Sequence, residues 1–159
     1  MLVDITSRIA HLLFAAIWAG SVFYVAFVVL PLARDGAFNT TKPLEGITTR
    51  LTTISRVSTV ALLLTGGHLA GTGYSFDGVG KPSLFSSPNG RLVVLMVVCW
   101  LLLTALVEVG TKRLESGLNG KKLREPAQRA LPLFRAGAVV GLLLLVIGGV
   151  ITSGAVYVL

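Results

Sequence analysis

His11 and His68 are the only histidines in the chain, and each falls within a long uncharged apolar segment rather than in a loop. An imidazole in hydrocarbon is costly unless something binds it, so such a residue is by default a functional candidate. The chemistry two such rings supply is ligation. Two imidazoles, or one imidazole with a thioether, suit haem iron, while imidazole with thioether or thiolate suits copper. Met96 and Cys99 are soft donors three residues apart, hence on nearly one face of a helix. Met96 is the candidate third metal ligand, although the ordinary use of Met and buried Cys is apolar packing. Arg8 and Arg91, with Lys81, lie at the same end and are placed to meet haem propionates.

The elements that must position these groups follow from composition. Hydrophobic residues make up 53% of the 159, charged residues only 13%, and the mean hydropathy is +0.82. Four segments, roughly 9–32, 57–74, 92–109 and 136–159, are apolar enough to cross about 30 Å of hydrocarbon as helices. Helices are required because backbone groups in lipid must be satisfied within the segment. The first segment is too long for a signal-peptide core and reads as a retained helix. The expected fold is an all-α integral membrane protein of the cell membrane. It is one domain over 1–159, a four-helix up-down-up-down transmembrane bundle.

Charge sets the expected orientation. Arg34, Lys42, Arg50 and Arg56 flank the first connection, and Lys112, Arg113, Lys121, Lys122, Arg124, Arg129 and Arg135 flank the third. Cationic residues concentrate in cytoplasmic loops, so both termini and the second loop are expected outside. This pattern accounts for the net charge of +7 without nucleic acid. The basic third loop reads first as a solvated loop obeying the insertion rule, with contact to anionic headgroups as the alternative. Single Cys99 permits no intrachain disulfide.

With helices one and two antiparallel, His11 about three residues inside Arg8 and His68 about six inside Tyr74 differ in depth by about 5 Å. They can therefore share the outer half of the bilayer. Near the inner surface, Glu108, Arg56 and Arg135 are expected at one depth as a structural ion network. Trp18 and Trp100 fall mid-span and read as core. Gly67 with Gly71, and Gly137 with Gly141, have small-xxx-small spacing and are expected at helix contacts within the bundle. The first loop is expected over Pro31–Arg50, with 48–54 as an extension of the second helix. The third connection should break at Ser116–Gly120 and restart at Glu125-Pro126. The Gly/Pro/Ser-rich loop over 75–89 has room for a short cap. No phosphate loop, paired carboxylates or nucleophile–His spacing points to hydrolytic or phosphoryl chemistry.

The residues resemble a known family. His11-Leu12-Leu13-Phe14-Ala15-Ala16-Ile17-Trp18-Ala19-Gly20 resembles the first-helix motif of the copper-resistance D family, a His followed after an apolar run by Trp-x-Gly. Ser55-Arg56-Val57 with Leu62-Leu63-Leu64-Thr65-Gly66 is similar to its second helix. Asn89-Gly90-Arg91-Leu92-Val93 is similar to its Tyr-Gly-Arg-Leu-Leu entry into the third. The resemblance runs from about His11 to Arg113 and implies copper uptake or resistance. The first-helix motif is also similar to that of the membrane-bound bacterial protoporphyrinogen oxidase family, which implies haem or porphyrin binding. Both families usually carry Lys where this chain has Met96.

The resulting expectation is a protein binding copper or a b-type haem through His11 and His68, in copper handling or membrane electron transfer. A copper donor or electron-transfer protein, and a second copy of the chain, are the candidate partners. No residue is assigned a catalytic role on this reading. The alternatives are a porphyrinogen oxidase with His11 at the tetrapyrrole, and a non-catalytic subunit of a membrane complex.

Overall fold

The computed structural model describes residues 2–120 and 122–153, so Met1, Lys121 and the last six residues of the expected fourth span (154–159) lie outside it. Nearly all of the described chain is helical. We number the long helices α1 (Leu2–Asp35), α2 (Lys42–Gly73), α3 (Pro88–Asn119) and α4 (Arg124–Ser153). Helices α1, α3 and α4 are long and apolar enough to cross a membrane. Helix α2 is as long as α3 but more polar, because its sequence alternates aliphatics with Thr and Ser and then runs into Gly66-Gly67-His68. Even so, α2 exposes Val57, Val60, Leu63 and Leu64, each more than half accessible. Leu12, Leu13 and Ile17 on α1, Leu101 and Leu102 on α3, and Leu142 and Val146 on α4 are likewise exposed.

Each helix starts and stops for a local reason. Pro31 lies inside α1 rather than in a loop. It has no N–H, and its ring would collide with a carbonyl one turn earlier, so the helix widens into a π-turn at Val25–Val29 and resumes as Leu30–Asp35. Gly36 ends it in the left-handed region at φ 85°. The connection is therefore residues 36–41, much shorter than the expected Pro31–Arg50. Pro43 opens α2 in its first turn, where a missing N–H costs nothing. Ser87 caps α3, its hydroxyl accepting from the Gly90 N–H at 3.1 Å. The second connection has internal order: the Ser75 N–H donates to Pro82 O, the Leu84 N–H donates to Ser75 O, and Gly78 and Gly80 take positive φ. The third connection breaks only after Asn119, so the helix runs through most of the expected Ser116–Gly120 break, and α4 restarts at Arg124, one residue before the expected Glu125-Pro126.

Each helix packs antiparallel against two neighbours, α1 on α2 and α4, and α3 on α2 and α4. Lipid tails are as apolar as Leu, so contacts between membrane helices depend on close fit rather than on escape from water. Glycine supplies that fit. Gly137 meets Val22 and Leu103, Gly141 meets Ala19 and Leu103, and a Cβ at Gly110 would lie 2.8 Å from the Phe134 ring. Gly67 and Gly71 have nothing within 4 Å, so their spacing does not mark a helix contact. On α2 the hydroxyls of Thr48, Thr49, Thr52 and Thr53 each donate to the carbonyl four residues earlier, whereas the buried Thr59 hydroxyl meets no partner among the described residues.

The core is lopsided. Buried side chains begin at Trp18 on α1 and end at Leu62 on α2. They include Leu103, Val107, Leu114 and Leu118 on α3, and Ala127, Ala130 and Phe134 on α4. The end holding the α1–α2 and α3–α4 connections is tightly filled. At the opposite end, which holds both histidines, the buried side chains include Asn89 and Cys99 on α3 and Ile147 on α4.

Candidate functional site

His11 and His68 line the same seam, between α1 and α2, and both are half-buried. The His11 ring lies against Gly66, whose hydrogen-only side leaves room for it: a Cβ there would come within 3.0 Å of His11 Cε1. His11 Nδ1 is 2.9 Å from Thr65 Oγ1. The Thr65 hydroxyl proton is already committed, donated to Ala61 O at 2.7 Å. Thr65 can therefore only accept from the imidazole, which fixes the Nδ1–H tautomer of neutral His11 and leaves its Nε2 with a lone pair.

His68 shows the same logic with a stronger acceptor. Its Nε2 is 3.2 Å from Asp4 Oδ1. An ionised carboxylate only accepts, so His68 donates through Nε2 and, in its neutral form, carries the lone pair on Nδ1. Asp4 sits two turns before His11 on α1, about 10 Å along the axis, whereas Thr65 and His68 are less than one turn apart on α2. The two imidazoles thus occupy successive levels of one seam. Asp4 was not among the residues singled out from sequence. Only the register of α1 on α2 makes it a partner.

The remaining candidates divide. Met96 reaches towards Gly148 on α4, so the structure places it on the α3–α4 seam and not with the histidines. Cys99 is buried in α3. Arg91 donates from Nε to Phe85 O at 3.2 Å, which turns its guanidinium onto the second connection, and Lys81 Nζ donates to Gly71 O at the end of α2. Arg8 is exposed. No three His, Cys, Asp or Glu side chains gather as a metal-holding group among the described residues.

At the opposite end, Arg56 and Glu108 form a two-pronged pair, Nε–Oε1 at 2.9 Å and Nη2–Oε2 at 3.3 Å, tying α2 to α3. Arg135 is exposed and takes no part in it, which corrects the expected three-membered network. At its position on α4 the inward places are held by Phe134, Gly137 and Ala138. Trp18 is buried in the core, and Trp100 is half-buried against it. Comparison with family models, with curated proteins and with solved structures returns no match.

Proposed function

We propose that this is a multi-pass protein of the cell membrane that binds copper near the outer ends of its helices through His11 Nε2 and His68 Nδ1. Both termini face outside, and the basic connections face the cytoplasm. One observation carries the metal reading: each imidazole is anchored through one nitrogen to an acceptor on the facing helix, which leaves its other nitrogen as a lone-pair donor. Metal-ligating histidines are held in this way by partners that fix tautomer and ring orientation. Imidazole nitrogen is a donor that copper accepts. The likeness of the first three helices to the copper-resistance D family supports copper handling as the role. Asp4 and Thr65 then act as positioning residues, and a donor protein would deliver the ion.

A second reading, b-type haem with electron transfer, is favoured by two anchored imidazoles on one seam, since paired imidazoles suit haem iron. Exposed Arg8 is the cation placed to meet a propionate there.

Metal analysis and a visible spectrum of the gently purified protein separate these. Copper should co-purify at about one per chain and fall sharply in His11→Ala and in His68→Ala, with no Soret band. A Soret band lost in the same variants would transfer the site to haem. Equal copper in the His11→Ala/His68→Ala double variant, without haem, would leave the imidazoles as interhelical ties only.

A further inference from the structure

A groove of about 760 Å³ lies between α3 and α4 at the end where they are joined. Its walls carry Lys112, Arg113, Lys122 and Arg129, with Glu125 as the single carboxylate, and Val109 and Pro126 supply apolar surface. Gly117 keeps the helices close at its base, where a side chain would run into the Pro126 ring. Glu125 is shared by Lys122 at 3.0 Å and Arg129 at 2.6 Å, whereas exposed Lys112 and Arg113 make no contact ion pair among the described residues, Lys112 feeling the charge of Glu108 only at longer range. Four cations against one carboxylate leave the groove with an unmet positive charge. The first turn of α4 adds the partial positive charge of a helix N-terminus.

We infer that this groove binds the headgroup of an anionic phospholipid of the inner leaflet. The inference rests on the membrane reading above. The occupant is argued from two features together. The charge calls for a phosphate, and the apolar side of the groove is continuous with a stripe that faces lipid. Val109, which lines the groove, is 43% exposed, and Leu102 and Val98 follow at helical spacing on the same face of α3 at 47% and 56%. A free phosphate would use only the cations. A phospholipid would also lay an acyl chain along Val109, Leu102 and Val98. Basic pockets between membrane helices on the cytoplasmic side hold headgroups by this combination.

The test uses the full chain in phosphatidylcholine nanodiscs, with phosphatidylglycerol titrated in and lipid retention read by native mass spectrometry. Wild type should retain phosphatidylglycerol over phosphatidylcholine by about tenfold, and Lys112→Gln/Arg113→Gln should remove most of that preference. Both positions are exposed, so the variant should fold, and its melting temperature in phosphatidylcholine alone checks this. Glu125→Gln should strengthen retention, because it removes the carboxylate in the groove's lining. Equal retention of the two lipids, or an unchanged double variant, would overturn the proposal. Inorganic phosphate at millimolar concentration displacing the lipid completely would also overturn it, by showing that the chains contribute nothing. Release of the protein from native membranes by alkaline carbonate would instead overturn the membrane reading.

Discussion

The Trp18 indole N–H donates to Ser55 Oγ at 3.0 Å, and both side chains are 1% exposed. This bond joins α1 to α2 at the level where the packed core begins and the histidine end starts. A buried indole N–H stripped of its acceptor bears its full desolvation cost. Ser55→Ala should therefore lower stability by about 1–3 kcal/mol. Trp18→Phe should also destabilise through lost volume, but the freed Ser55 hydroxyl can turn to its own helix. Adding Trp18→Phe to Ser55→Ala should then cost less than the two single losses summed. Thermal unfolding in detergent, followed by tryptophan fluorescence with Trp100 as the remaining reporter, would show an additive pair if the bond is unimportant.

Anchoring of the imidazoles gives a second prediction. Asp4→Ala and Thr65→Val keep both histidines but remove the acceptors that set their tautomers. Each should weaken copper binding by about tenfold or more, the scale typical of such supporting partners. A competition titration with a copper chelator reads this directly. Unchanged affinity in both variants would mean that the rings are held by packing alone.

Glycine substitutions should split by location. Gly117→Ala drives a Cβ into the rigid Pro126 ring and should cost about 1–3 kcal/mol. Gly20→Ala and Gly71→Ala meet nothing within 4 Å and should be neutral or stabilising by up to about 1 kcal/mol, the helix-propensity difference. Parallel melting curves of the three variants would decide the point.

The charges at the end opposite the histidines should likewise separate. Arg56→Ala removes the two-pronged partner of Glu108; the pair is largely exposed, so the loss should be modest, salt-dependent and yet larger than that of Arg135→Ala. Arg135→Ala should stay within about 0.5 kcal/mol of wild type. Comparable losses in the two variants would restore Arg135 to the network.

A pH effect follows at the groove. Glu125 is held below its ordinary value of 4.5, first by the hydrogen bond from Lys122 and then by the charge of Arg129. A carboxylate depressed in the folded state stabilises it fully above the unfolded value, and the contribution is lost as pH falls through the folded value. The melting temperatures of wild type and Glu125→Gln should differ at pH 7 and converge well below pH 4.5. A gap that persists in acid would assign the effect to something other than this charge.

Three helices long and apolar enough to cross a membrane, the break near Asn119 and the Arg56–Glu108 pair were legible in the chain, because apolar length, turn chemistry and opposite charge at matched positions are local or nearly local signals. The full length of α1 was not. Pro31 reads as a loop residue until the π-turn that absorbs it is seen. The same spacing rule marked Gly67–Gly71 and Gly137–Gly141, yet only the second pair faces a neighbour. Spacing says that two residues share a helix face, not which way that face is turned.

The histidines mark the same boundary. That two imidazoles sit in apolar helices, near one end and on antiparallel neighbours, was determined by the sequence itself through hydropathy and charge. Which nitrogen of each ring is left with a lone pair was decided only by tertiary structure. It depends on the register of α1 against α2, which brings Thr65 to His11 and Asp4 to His68. The same rotation about the helix axes sends Met96 to α4 and Arg135 to the surface. Helix formation is written in periodicity along one chain, whereas register and rotation are settled by the fit of glycine, tryptophan and phenylalanine between helices.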